Sequence, residues 1–184
     1  MSTENNNDLA YENSIKILFD LISFKTISGE DNNQLIDYCD KILKNNGATS
    51  FKTFDKDKKR VNLFATLKAK RSNGKLPIIL SGHTDVVPVS KGWSTDPFKA
   101  VIKKDKLYGR GSCDMKGFIA CTLAYVKIFS NSNLERDIHF SYTFDEETAC
   151  IGAPILIEEL KKRKINKGIC IVGEPTNMKI IDSH

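Results

Sequence analysis

The 184-residue sequence has five cysteines but no C-x-x-C pair. An odd, unpaired set argues against a disulfide frame or a thiolate zinc site and points to reduced thiols. No uncharged apolar run approaches the roughly 20 residues that a membrane span needs. Nor does a basic stretch followed by an apolar one open the chain, as a secretory signal would. These absences give a cytoplasmic compartment as the expectation. Neither an internal repeat nor a low-complexity segment is present. Charge of one sign is scarce too: 28 Lys and Arg against 23 Asp and Glu leave +5, with lysines scattered among acids, as in Lys56-Asp57-Lys58-Lys59-Arg60. The one purely basic run, Lys161-Lys162-Arg163-Lys164, reads as a solvated helix end because no aromatic or Gly-rich RNA motif accompanies it. Nucleic acid and membrane are therefore not expected partners.

What is present is ordinary for a globular chain. Hydrophobic residues at 40% and charged residues at 28% exclude wholesale disorder, and the length suits one domain with a real core. Residues 1–8 read as a flexible tail that ends in a capping Asp8. A helix then follows on the spacing of Leu9, Ile15, Leu18, Phe19 and Ile22. A second helix fits Leu35, Ile36, Cys39, Ile42 and Leu43 and is closed by Asn46-Gly47. Strands are predicted near 49–54, 61–67, 77–81, 138–144 and 168–172, with helices near 115–129 and 151–162. The stretch from Asp85 to Gly111 reads as one long ordered loop, and such loops inside compact domains are usually functional. Alternating strands and helices predict an α/β sheet, partly parallel and covered on both faces.

The placement of polar residues carries the functional signal. Three apolar strands run into Ser81-Gly82-His83-Thr84-Asp85, Asp145-Glu146-Glu147 and Gly173-Glu174-Pro175-Thr176. In open α/β sheets the ligand crevice lies at the carboxyl ends of strands, so these residues can converge. Alternating residues of an extended strand share a face, which lets Asp85 orient the His83 imidazole toward a metal. A satisfied polar pair at a strand end fits the same residues. Asp114, in Gly109-Arg110-Gly111-Ser112-Cys113-Asp114, is either a helix cap or a metal ligand. The segment lacks the G-K-[ST] ending of a phosphate loop. Asp145-Glu146-Glu147 is either an acidic first helical turn or a split pair, one glutamate on metal and its neighbour moving protons. Glu174 ends a buried strand, which is costly for an acid unless it is paired or coordinated. Together, one imidazole and several carboxylates form a ligand set for zinc, cobalt or manganese, and a carboxylate can bridge two such ions roughly 3.5–4 Å apart.

Four ordered segments resemble one family. Leu80-Ser81-Gly82-His83-Thr84-Asp85-Val86-Val87-Pro88-Val89 is similar to the first signature of the acetylornithine deacetylase, succinyl-diaminopimelate desuccinylase, aminoacylase and carboxypeptidase G metallohydrolases. The stretch from Leu107 to Gly111, continued by Asp114-Met115-Lys116-Gly117-Phe118, resembles the second. Phe144-Asp145-Glu146-Glu147-Thr148 resembles the third and Val172-Gly173-Glu174-Pro175-Thr176 the fourth, with Trp93 and Asp96-Pro97-Phe98 between the first two. The likeness runs from about Leu9 to the end. Cys113 through Phe118 and the Val89 variant look closer to the acetylornithine deacetylase branch.

The resemblance implies a three-layer αβα zinc-exopeptidase-like catalytic domain with a mixed, largely parallel sheet over residues 9–184. It implies two Zn2+ ions, with Co2+ or Mn2+ possible substitutes. His83 and Glu174 would bind one ion, Asp114 would bridge, and Glu147 would bind the second. Asp85 would hold His83, and Glu146 would be the general base in hydrolysis of N-acetyl-L-ornithine to ornithine and acetate, a step of arginine biosynthesis. A cis peptide at Asp114–Met115 is implied as well. Cys113 matches no family ligand. Family members continue into a lid and dimerisation domain and then supply a distal histidine to the second zinc. The expectation is a chain truncated before that lid, of impaired activity, whose partners are a small N-acyl amino acid and a second copy or a complementing C-terminal polypeptide. The alternatives are a desuccinylase-like or aminoacylase-like enzyme completed by a second chain, and a non-catalytic metal-binding remnant. Neither His139 nor His184 is read as the missing ligand.

Overall fold

The fold is taken from a computed structural model that describes residues 3–182, so His184 lies outside the described residues. The first helix, α1, spans Thr3–Ser23. Within the expected tail, residues 3–8 are helical instead, so Asp8 lies inside the helix and is no cap. Residues 3–8 are polar but contain neither Gly nor Pro, and extending a helix beyond a packed segment adds one hydrogen bond per residue fixed. Tyr125 further ties this end by donating to Asn7 at 3.2 Å. The buried stripe is Ala10, Leu18, Leu21 and Ile22, while Leu9 and Phe19 face outward.

The second helix, α2 (Asn33–Asn45), buries Leu35, Ile36, Cys39 and Leu43, as their spacing predicts. It stops at Gly47, whose φ of +87° suits a residue without Cβ. Five strands form the main sheet: β1 (Thr49–Phe54), β2 (Val61–Leu67), β3 (Ile78–His83), β6 (Ile138–Thr143) and β7 (Ile169–Val172). Their order is β1-β2-β6-β3-β7. Only β2 runs against the rest, being antiparallel to β1 and β6, while β3 is parallel to both β6 and β7. Two short strands, β4 (Val101–Lys103) and β5 (Lys106–Tyr108), make a separate hairpin. They interrupt the stretch expected to be loop throughout. Their turn is Lys104-Asp105, both at positive φ (50° and 59°), the backbone form that matches strand twist in two-residue hairpins. Lysine in that position hides the turn from a reader looking for Asn-Gly.

Side-chain alternation assigns the layers. Leu63, Ala65 and Leu67 of β2 lie opposite Tyr142, Phe140 and Ile138 of β6. They join the α2 side chains and Ile119, Ala120 and Leu123 of α3 (Lys116–Asn131) in one apolar core. The other face carries Asn62, Phe64 and Thr66 and is covered by α4 (Gly152–Lys162), where Asn62 donates to the Gly152 carbonyl at 2.9 Å. This is a three-layer αβα arrangement. Strand β7 is the exception: among the described residues it pairs only with β3, and all four of its residues are exposed.

One buried side chain sews the layers together beside the sheet's carboxyl end. Asn32 donates from Nδ2 to the Val61 carbonyl and to Thr84 Oγ1, both at 2.9 Å, and accepts from the Val61 N–H at 2.7 Å. Asn32→Ala should lower the unfolding free energy by about 3 kcal/mol, because two buried main-chain groups lose their partners. Urea unfolding should show an earlier midpoint with an unchanged slope.

Candidate metal centre

His83 is the last residue of β3, in register with Thr143 at the end of β6. Its own N–H points at Met115 Sδ, 3.3 Å away. Beyond β6 the chain reverses at Asp145, which takes φ +53° and is held by Arg60 and by the Gly29 N–H at 2.7 Å. This reversal turns the N–H groups of Glu146 and Glu147 onto the Asp85 carboxylate, at 3.0 and 3.3 Å. Ser28 adds a third donor at 2.7 Å. Glu174 follows β7 after Gly173, where a Cβ would fall 1.9 Å from the Phe118 ring, so only glycine lets the strand end there. Asp114 sits in the turn before α3. Lys116, wholly buried, fastens that turn by donating to the carbonyls of Leu21 (3.0 Å) and Phe24 (2.8 Å).

These elements bring three ligating groups together: His83, Asp114 and Glu174 each offer an atom, all within 4.8 Å of one another. His83 Nε2 stands 3.0 Å from Asp114 Oδ1 and 3.9 Å from Glu174 Oε1. Donors on one tetrahedral zinc at about 2.1 Å lie roughly 3.4 Å apart, a value these separations bracket. The imidazole is 1% exposed, whereas the Asp114, Glu146 and Glu174 side chains are 47%, 41% and 37% exposed. The centre is thus a buried nitrogen under a rim of carboxylates open to solvent and substrate. The residues fit a divalent cation.

Electrostatics agree with that fit. Desolvation pushes Glu174 upward; the nearby imidazole opposes this, and Asp114 and Glu146 add to it. Glu147 is raised by desolvation and then by the Asp114 charge. Converging anions of this kind call for a cation. Burial would lower His83, but the hydrogen bonds and charge of Asp85 outweigh it and lift the imidazole to about 9. Asp85 itself is held below the ordinary range: burial works against this, and its bonds to His83, Ser28 and the Glu146 N–H prevail.

The expected residues fall into place unevenly. Asp114 is not a helix cap; Met115 occupies that position and no side chain caps α3. The Asp114–Met115 peptide is cis, as the resemblance implied. The acids at 145–147 are not a first helical turn either, since α4 begins at Gly152 without one. They divide: Asp145 is buried structure, Glu146 lies 3.9 Å from His83 Nε2, and Glu147 stands outside the three-group cluster beside Asp114. Asp85 supports His83 differently from the shared-face expectation. Its main-chain carbonyl meets Nδ1 at 2.9 Å, and its carboxylate is farther off at 3.5 Å. The carboxylate is turned toward the Glu146 and Glu147 amides instead. Ser28, Arg60, Met115 and Lys116 were not foreseen. Only Lys116 had a signal, since a lysine within an otherwise small and apolar turn, beside a candidate ligand, needs an explanation.

A carbonyl only accepts, so Nδ1 carries a proton, and without metal Nε2–H donates to Asp114. Metal must displace that second proton. Zinc affinity should therefore rise about tenfold per pH unit and level off near pH 9, where the imidazole is already neutral. In metal-free protein the raised His83 contributes stability that is complete below its ordinary value of 6.5 and is lost as pH rises through about 9. Calorimetry of zinc uptake in buffers of different ionisation enthalpy should read close to one proton released from His83 at pH 7.

Comparison with known proteins follows the same lines. Residues 79–182 match the family described as Peptidase family M20/M25/M40. Succinyl-diaminopimelate desuccinylase of Buchnera aphidicola subsp. Acyrthosiphon pisum (strain APS) is 38% identical over 168 residues, covering 88% of this chain and 42% of that protein. Acetylornithine deacetylase of Buchnera aphidicola subsp. Schizaphis graminum (strain Sg) is 35% identical over 176 residues, covering 92% and 45%. An M20 family metallo-carboxypeptidase from Sulfolobus solfataricus superposes with a TM-score of 0.75 over 87% of this chain and 37% of its own, at 23% identity, a likeness of fold. The chain spans less than half the length of these relatives. With the matching segment holding all four motifs from His83 to Glu174, the chain belongs to Peptidase family M20/M25/M40.

Proposed function

We propose that this centre binds zinc and hydrolyses the amide bond of a small N-acylated amino acid. The observation that carries the proposal is the convergence of His83, Asp114 and Glu174, with the free Glu146 carboxylate 3.9 Å from the imidazole. A bound divalent metal would supply Lewis acidity to an amide carbonyl and to water. His83 Nε2 and Glu174 would hold one ion. Asp114 would bridge to a second ion, which Glu147 would hold. Asp85 keeps Nδ1 protonated through its carbonyl, so Nε2 presents its lone pair. Glu146 is anchored by its main chain on Asp85, and its side chain has no lysine or arginine partner among the described residues. It would take the proton from the attacking water and pass it to the departing amine, giving a carboxylate and an amine from one amide and one water. A further ligand for the second ion would come from polypeptide outside residues 3–182. A second copy or a complementing chain is the partner we propose for it.

For the substrate, the stretch from Cys113 to Phe118 favours N-acetylornithine. A second reading, N-succinyl-diaminopimelate, is favoured by the desuccinylase name, which predominates among similar proteins. The two substrates share an acylated amine on a diamino acid, and offering both with zinc discriminates between them through amine release. Glu146→Gln should reduce that release by about 10²- to 10⁴-fold while zinc uptake is unchanged. His83→Ala should abolish uptake at the first site. Absence of amine release from both substrates, alone and with the remaining half of a relative added, would overturn the proposal.

A further inference from the structure

A second constellation lies at the opposite end of the sheet. Residues Pro77 and His83 bound β3, so this end is roughly 20 Å from the metal centre. There an open cleft of about 650 Å³ separates the sheet from the chain that leaves α4. That volume is in the range of small-molecule sites. Its lining brings together Lys68, Arg163, Lys164 and Lys167, against one acid, Asp137. Two of the cations are engaged: Lys68 with Asp137 at 2.7 Å, and Arg163 with Glu159 at 2.7 Å while its guanidinium stacks 4.0 Å over Phe51. Among the described residues, Lys164 and Lys167 have no acidic partner.

Cations at the end of α4 would complement its dipole in any case. That accounts for Lys161 and Lys162, but not for Lys167, beyond the helix, or for Lys68, next to β2. Lys164 moreover adopts φ +59°, a position where glycine is favoured, and the turn it makes leads the chain back along the cleft.

The cleft also has a buried polar floor. His139 in β6 is 4% exposed, packs on Phe64 with ring centroids 5.0 Å apart, and pairs through Nδ1 with Thr66 Oγ1 at 2.9 Å. Burial keeps this ring below its ordinary value, so it is neutral near pH 7. When Thr66 donates to Nδ1, the ring proton sits on Nε2, which has no protein partner among the described residues and stays within reach of solvent. An imidazole N–H that lines the cleft without a protein acceptor, near cations without counter-charges, is a donor available to an anion.

We propose that this cleft is a binding site for a small multivalent oxyanion, a phosphorylated or polycarboxylate metabolite, held by Lys164, Lys167 and the His139 imidazole. It is separate from the metal centre and does not depend on the hydrolase reading.

The test titrates inorganic phosphate and, separately, citrate into protein freed of metal, so that neither probe acts through His83, with chloride at equal ionic strength as reference. Saturable one-to-one uptake of either probe, tracked by the His139 ring signals in NMR, supports the site. Phosphate alone marks a phosphorylated ligand and citrate alone a polycarboxylate. The surface double variant Lys164→Glu with Lys167→Glu should weaken uptake at least tenfold. His139→Phe, which keeps the stacking on Phe64, should weaken it severalfold, and both variants should bind zinc as the parent does. Shifts that grow linearly and match those with chloride would overturn the proposal, as would unchanged affinity in the double lysine variant.

Discussion

The centre depends on one buried carboxylate. Asp85 is 3% exposed, and an anion so placed is stable only if donors surround it. Ser28, the Glu146 and Glu147 amides and the His83 ring supply them. Those donors come from the loop after α1, the reversal after β6 and the end of β3. Satisfying one side chain therefore fixes the end of β3 that carries His83 against the reversal that carries Glu146 and Glu147. Its carbonyl meanwhile fixes the tautomer of His83. The residue that touches neither ion nor substrate in this reading is the one that makes the arrangement single-valued.

Much of the fold was legible because its signals are local. The limits of β1 and β2, the closure of α2 at Asn46-Gly47, and the polar strand ends all follow from patterning and turn chemistry. Less legible were features settled by partners distant in sequence. Residues 3–8 read as tail because nothing nearby shows that a packed helix continues through them. The β4–β5 hairpin was missed because Lys104-Asp105 adopts a turn usually given to Asn or Gly. At the site, the four ligand candidates could be named from their motifs. The division of labour within Asp145-Glu146-Glu147 could not, because it rests on Arg60, which is 85 residues from Asp145. Lys116 illustrates the same limit: its contacts lie 92 and 95 residues away.

The fold and the chemistry are shared widely, and this explains why family is clearer than substrate. Four of the five strands point their carboxyl ends, or the loops beyond them, in one direction, and the candidate site groups come from three of these ends and one helix entrance. An imidazole and carboxylates so arranged do not by themselves distinguish the desuccinylase from the deacetylase named among the relatives. The groups that would distinguish an acetyl from a succinyl chain must reach further from the metals than the groups described here.

Strand β7 has a consequence of its own. It carries Glu174, yet it is bonded along one edge only and none of its side chains is sheltered. An acid mounted on an exposed edge strand shares its free energy with that strand's local opening. Whatever fraction of the time the strand peels away, Glu174 goes with it, and a cation gripping Glu174 would oppose the peeling by the same amount. Edge order and ion occupancy would then be a single equilibrium, with a bound cation fastening the edge of the sheet.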